Sequence, residues 1–356
     1  MFRLIIFLLF TGTLLLSCSQ RKSQIVKEKD YMVYLNPEIS NAEKKKNADE
    51  ISFWQQRLLK DTGSYVNMLE LAKYTLNDFR LTGNIASLHT GDSLLRRSSL
   101  KLNNTDPDIL FALSQNSITQ HHFSMAARYN ENAGKASGDP YTIKLLQFDS
   151  WMELGRYADA FRALNSIADG SAFDYLIRKA KWEDHRGNLE EAINLMEQAF
   201  EKIKNKKKSL YCWTLSNLAD MYGHTGRIKE SYQAYLDVLK KDPANLYCLK
   251  GIAWIAYSHD GNNAVAKHIL QYILLQTDLP DLKLMLAEIA ETENDTDGKN
   301  KWLTAFLNDV QKPGYGNMYN KYLIAVYNDA GQYQKALTLA ENELKNRYTP
   351  ETCDWI

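Results

Sequence analysis

Apolar side chains return at helical spacing through residues 212–243, where Leu215, Leu218, Ala219 and Tyr222 follow the i, i+3, i+4, i+7 rule for one helix face. Gly226 interrupts the pattern, and Ile228, Ser231, Tyr232, Tyr235 and Leu239 restart it. Asp242-Pro243 stops the second run, because proline lacks the amide donor and restricts the residue before it. The stretch predicts two antiparallel helices with an apolar face that neither buries alone. No segment sustains the period-two alternation of strands between hairpin-type turns, so the class is all-α.

The punctuation repeats. Turn marks fall at Gly83, His122 in place of glycine, Gly155, Gly187, Gly226, Gly261 and Gly331, in steps of 39, 33, 32, 39, 35 and 70 residues. Three marks open closely similar cores: Gly155-Arg-Tyr157-Ala-Asp-Ala160, Gly187-Asn-Leu189-Glu-Glu-Ala192 and Gly331-Gln-Tyr333-Gln-Lys-Ala336. The alanine five residues after the glycine permits close helix approach, and the bulky residue two after it fills a neighbouring gap. A longer second helix after Gly83 explains one step of 39, and extra residues at Lys202–Lys208 explain the other. The step of 70 holds a degenerate unit around 278–310, with Gly298 and Trp302 in its turn region.

A period near 34 residues resembles the tetratricopeptide repeat, with Leu215, Leu218, Ala219, Tyr222, Gly226 and Pro243 on its motif positions and Ser231 where that family prefers alanine. The resemblance implies a right-handed α-solenoid, a superhelix of about seven or eight stacked antiparallel helix pairs over residues 51–356. Thr349-Pro350-Glu351 reads as a helix start, and the chain stops soon after Cys353, Trp355 and Ile356 begin an apolar face. We therefore expect the natural array to continue beyond Ile356.

The N-terminus has a different pattern. Arg3 precedes an apolar run from Leu4 to Leu16, which spans about 20 Å as a helix and falls short of a ~30 Å hydrocarbon core. Residues 1–18 thus predict a removed signal segment. Leu15-Leu16-Ser17-Cys18 resembles the bacterial lipobox, which implies acylation of Cys18 and a lipid-anchored protein of the cell envelope, at the outer membrane since Ser19 is not the inner-membrane aspartate. An ordinary signal cut after Ser17 is the alternative. Residues 19–50, polar and Lys/Glu-rich, are expected to form a flexible tether.

Lys+Arg and Asp+Glu each number 43, so no global field draws nucleic acid. The sequence holds no Walker loop, nucleophile elbow, HExxH or EF-hand pattern, no zinc spacing and no dinucleotide fingerprint; neither a cofactor nor a metal is expected, and the protein is not expected to be an enzyme. Cys212, Cys248 and Cys353 read as free thiols. His185, His224 and His259 each precede a turn glycine by two residues. Equivalent positions in stacked pairs lie about 8–10 Å apart, too far for one metal, so they read as polar residues at exposed helix ends.

The resemblance implies a concave groove lined by the first helices. Counting back from each turn glycine places there Asp149, Glu153, Lys181, Asp184, His185, Trp213, Ser216, Asp220, His224, Ile255, His259, Lys321 and Asp329. Trp213 is an interface anchor or a core residue. The set lacks the basic clamp of chaperone-tail binders. The expected function is a protein-interaction scaffold with an unidentified protein partner; the alternative is an accessory lipoprotein of glycan or nutrient capture, or of outer-membrane assembly.

Overall fold

The computed structural model describes residues 24–167 and 172–356, and the described residues are helical and strand-free. A short helix α1 (Glu28–Tyr31) and a 3-10 turn (Met32–Tyr34) lead into α2 (Pro37–Lys60). Eight antiparallel pairs follow. They are α3 (Tyr65–Thr82) with α4 (Ile85–Lys101), α5 (Pro107–Thr119) with α6 (Phe123–Lys135), α7 (Pro140–Glu153) with α8 (Tyr157–Ser166), and α9 (Phe173–His185) with α10 (Leu189–Ile203). Then come α11 (Lys208–His224) with α12 (Ile228–Lys241), α13 (Leu246–Ser258) with α14 (Asn263–Leu274), α15 (Leu282–Thr292) with α16 (Thr296–Val310), and α17 (Asn320–Asp329) with α18 (Tyr333–Asn346). A last turn of helix, α19 (Pro350–Cys353), closes the chain. Each pair up to α15–α16 packs on the next, and α17 joins them through the cluster of Phe306, Val310, Tyr315 and Tyr319, which makes the molecule an α-solenoid.

Local chemistry sets the boundaries. Asp106 and Asp139 each cap a helix whose first residue is proline, accepting from the amides of Ile109 at 3.1 Å and Thr142 at 2.8 Å. The turn glycines 83, 155, 187, 226, 261 and 331 all have φ between 62° and 80°, the left-handed geometry that glycine adopts without steric cost. Two marks need correction. In the second repeat the left-handed residue is His121, at φ 57°, and not His122; Phe123 and Ala126 then stand two and five residues on, in register with the other repeats. In the degenerate unit it is Asn294, at φ 58°, and Gly298 lies inside α16, its amide donating to the cap Asp295. Both exceptions use residue types that tolerate the left-handed region.

The expected signal segment and Cys18 lie outside the described residues, as do residues 19–23. The expected tether is corrected from residue 24 onward. Asp260, its side chain 1% exposed, accepts the amides of Ile25 at 3.0 Å and Val26 at 2.8 Å, and Tyr31 is buried against the α12–α14 core. The helix α2 then packs on α3 through Ile51, Trp54 and Leu58. Lys44, the first of three successive lysines at 44–46, is held by the fold: its ammonium donates to the carbonyl of Gln276 at 2.5 Å. Among the described residues no helix is long and apolar enough to cross a membrane.

The superhelix returns on itself. The amide of Asp278 donates to Thr82 O at 2.7 Å, His89 Nε2 meets Gly314 O at 2.7 Å, and Asn346 Nδ2 donates to His121 O at 3.0 Å. Arg347 reaches Glu153 at 3.4 Å, and a Cβ on Gly155 would run into the carbonyl oxygen of Tyr348. Successive early pairs thus meet successive late ones along a seam.

Candidate functional site

The first helices α7, α9, α11, α13 and α17 turn one edge toward the inside of the coil. Three adjoining cavities open there. One of about 380 Å³ is lined by Asp149, Arg178, Lys181, Asp184, Trp213, Asn217 and Asp220, with apolar Ile177, Met196 and Met221 behind. The second, of about 450 Å³, shares Asp220 and adds Gly223, His224, Tyr235, Tyr247, Lys250, Gly251, Trp254, Met285 and Tyr322. The third, of about 430 Å³, shares Lys181 and Asp184 and adds Glu153, Tyr157 and His185, facing Arg347 and Glu351. Their shared residues make them one cleft.

Eight of the thirteen expected groove residues are brought together in it: Asp149, Glu153, Lys181, Asp184, His185, Trp213, Asp220 and His224. Trp213 is 47% exposed, which decides against the core alternative. Ser216 is a correction: it is buried, and its hydroxyl bonds to Trp213 O. Lys321 pairs with Glu351 at 2.5 Å, and Asp329 is exposed at the end of α17; neither lines the cleft.

Ile255 and His259 are corrections with a common cause. In six repeats the residue after the left-handed mark donates to the carbonyl four before the mark: His122 to Ser117, Arg156 to Trp151, Asn188 to Glu183, Arg227 to Tyr222, Asp295 to Ala290 and Gln332 to Tyr327. After α13, Asn262 donates to Ala256, five before Gly261. The turn carries one extra residue, so counting back from its glycine lands one place off. Ile255 is therefore fully buried, and Trp254 is the true counterpart of Asp220. His259 instead bonds Asp260 at 2.8 Å, beneath the N-terminal strap.

The three histidines thus have different surroundings. His185 stacks on Tyr157 with ring centroids 4.0 Å apart, while His224 is exposed in the cleft. Among the described residues no three potential ligands gather at a metal-binding distance. Cys212 and Cys248 are buried free thiols in the central core, and burial raises both of their pKa values.

The electrostatic centre of the cleft is Asp220. Its carboxylate accepts the hydroxyls of Tyr235 and Tyr247, and desolvation together with that charge pushes both phenols well above their usual range. The nearby cations are engaged elsewhere: Arg178 with Asp149 at 2.6 Å, Lys181 with Glu153 at 2.9 Å, and Lys250 with Asp281. Among the described residues, Asp184 and Asp220 have no ion-pair partner. The aromatic rim is open: Tyr247 is 52% exposed, Trp254 40% and Tyr322 41%. Among the described residues that line the cleft, carboxylates, cations, phenols and indoles stand side by side.

No family model matches the sequence, and no curated protein matches it. Solved structures do. The human IFIT1 dimer with m7Gppp-AAAA is similar at 14% identity and a TM-score of 0.54, over 84% of this chain and 68% of that one. A tetratricopeptide repeat protein from Parabacteroides merdae is similar at 14% identity and a TM-score of 0.45, over 77% of this chain and 98% of that one. A STAND protein with a tetratricopeptide repeat sensor, from Pyrococcus horikoshii, reaches 0.48 at 15% identity, over 91% and 53%. With its eight pairs and left-handed turn marks, the chain is an all-α solenoid of tetratricopeptide-like repeats.

Proposed function

We propose that this protein is a non-enzymatic scaffold that binds a protein partner along the concave cleft and is held in a bacterial cell envelope, at the outer membrane, by acylation of Cys18. The observation that carries the binding role is the row of exposed aromatic side chains, Trp213, Tyr247, Trp254 and Tyr322, on a face where the fold has no need of them. The envelope location rests on the apolar run before Cys18. Nucleic acid is disfavoured because the unpaired charges of the cleft, Asp184 and Asp220, repel phosphates.

In-cell crosslinking with wild type and the Trp213→Ala/Trp254→Ala variant tests the scaffold. A protein recovered with wild type and lost with the variant supports it; equal recovery moves binding off the cleft. Labelled palmitate should enter wild type and not Cys18→Ala, and equal labelling would sink the anchor. Exposed aromatic faces also suit sugar rings, which favours glycan capture as the second reading. Co-purification of a glycan without any protein would put it first.

A further inference from the structure

We infer that the middle of the cleft is a receptor for a basic side chain, an arginine or lysine of an extended partner segment, with Asp220 as its counter-ion and Trp213 and Trp254 as flanking rings. The inference rests on the protein-binding reading above and specifies its chemistry. Three observations converge on it.

The first is charge. Asp220 belongs to both central cavities, is neutralised by no cation of its own chain among the described residues, and is oriented by two tyrosine hydroxyls that leave its charge in place. Asp184, one repeat earlier on the same wall, is also without an ion-pair partner among the described residues. A partner that buried these carboxylates without a cation would leave them desolvated and uncompensated, at a cost that selects against acidic and neutral segments.

The second is the aromatic content. Trp213 lines the first cavity with Asp220, and Trp254 lines the second, so each cavity that holds the carboxylate also holds an indole ring. Indole faces attract ammonium and guanidinium groups, most strongly where water is excluded. Carboxylate and ring together match a cation with an aliphatic stem, which a phosphate or a carboxylic acid does not offer.

The third is how the same cleft treats an arginine of its own chain. Arg347 lies at the far cavity with its side chain only 15% exposed. It bonds Glu153 at 3.4 Å and Glu351 at 2.8 Å, and its guanidinium lies over the rings of Phe123 at 5.8 Å and Trp355 at 5.7 Å. Carboxylates with aromatic rings hold a guanidinium at one end of the cleft, and the unfilled centre repeats that combination.

The test is fluorescence anisotropy of the full chain with dye-labelled twelve-residue peptides that share one alanine/serine backbone and carry arginine, lysine, glutamine or glutamate at the centre. Arginine and lysine peptides should bind at least about tenfold tighter than glutamine, and the glutamate peptide should bind weakest, with the preference shrinking as salt rises. Asp220→Asn keeps one tyrosine hydroxyl donating to its amide oxygen, requires the other to accept from its amide nitrogen, and should erase the preference. Asp184→Lys, at an exposed position without an ion-pair partner, should weaken the arginine and lysine peptides and leave the glutamine peptide unchanged. Equal binding of all four peptides, or a preference for glutamate, overturns the inference; so does an Asp220→Asn variant that still prefers arginine. These outcomes are separable from failure of the scaffold reading, because crosslinked partner capture dependent on Trp213 and Trp254 would persist without any charge preference.

Discussion

The central block and the seam of this solenoid are held together differently. From α9 to α15 one continuous apolar cluster runs through the pairs, with Leu249, Ile252, Ala253, Ile255 and Ala256 fully buried. At the seam polar contacts join a small apolar one, Ile85 against the Tyr315–Tyr319 cluster: Asn346 to a carbonyl, His89 to a carbonyl, Arg347 among carboxylates. The block follows the nearest-neighbour logic of repeat arrays, in which stability accumulates locally. The seam joins residues more than 190 positions apart and fixes how tightly the coil turns. Apolar packing makes the array, and directional polar contacts set its curvature and thus the width of the cleft.

The sharpest way to break the comparison is in the block. Ile252→Ala should cost about 2–5 kcal/mol, since the cavity it leaves sits between helices on both sides. Chemical denaturation reads it as a lower midpoint, and a loss under 1 kcal/mol would mean that the cluster is not the load of the fold. Next comes the strap. Asp260→Ala orphans the amides of Ile25 and Val26 and should cost roughly 1–3 kcal/mol. Hydrogen exchange should then quicken at residues 25–35 and stay unchanged at the seam.

The smallest effect is on pH, and it belongs to the seam alone. Burial lowers the pKa of His121 below its ordinary 6.5; Glu343 and Glu153 pull it up in part, and Arg347 pushes it down. A base with a depressed folded pKa loses stabilising free energy as pH falls, because the opened state takes up the proton first. The seam should therefore be fully closed above about pH 6.5 and loosen below it. Hydrogen exchange at residues 340–356 should accelerate between pH 7.5 and 5.5, with no such change in α11–α14. His121→Asn tolerates the left-handed turn and should shrink the pH effect, leaving the part due to His122, whose pKa burial also lowers.

Much of this was legible in the residues. Glycine spacing located every turn except those formed by His121 and Asn294, where a residue that merely tolerates positive φ replaces the one that adopts it freely. The same ruler brought Trp213, Asp220 and His224 to the cleft, since equal offsets along stacked helices repeat one orientation. It missed Trp254 and offered Ile255 because one extra residue in a turn rotates a helix by about 100°, and no composition signal marks an insertion of one. Residues 24–50 were misread for a similar reason. Polar composition predicts solvation, while α2 is held by the narrow apolar contacts of Ile51, Trp54 and Leu58 further along.

By itself the sequence determined the helical class, the repeat period, the turn marks and the facing of the first helices, because these follow from backbone sterics and the 3.6-residue period acting within about 34 residues. Only the tertiary structure decided that the N-terminal strap lies on Asp260, that early and late pairs meet at a seam, and that two carboxylates stand unpaired among aromatic rings. Those depend on small rotations between pairs that add up along the coil, and no single repeat encodes the sum.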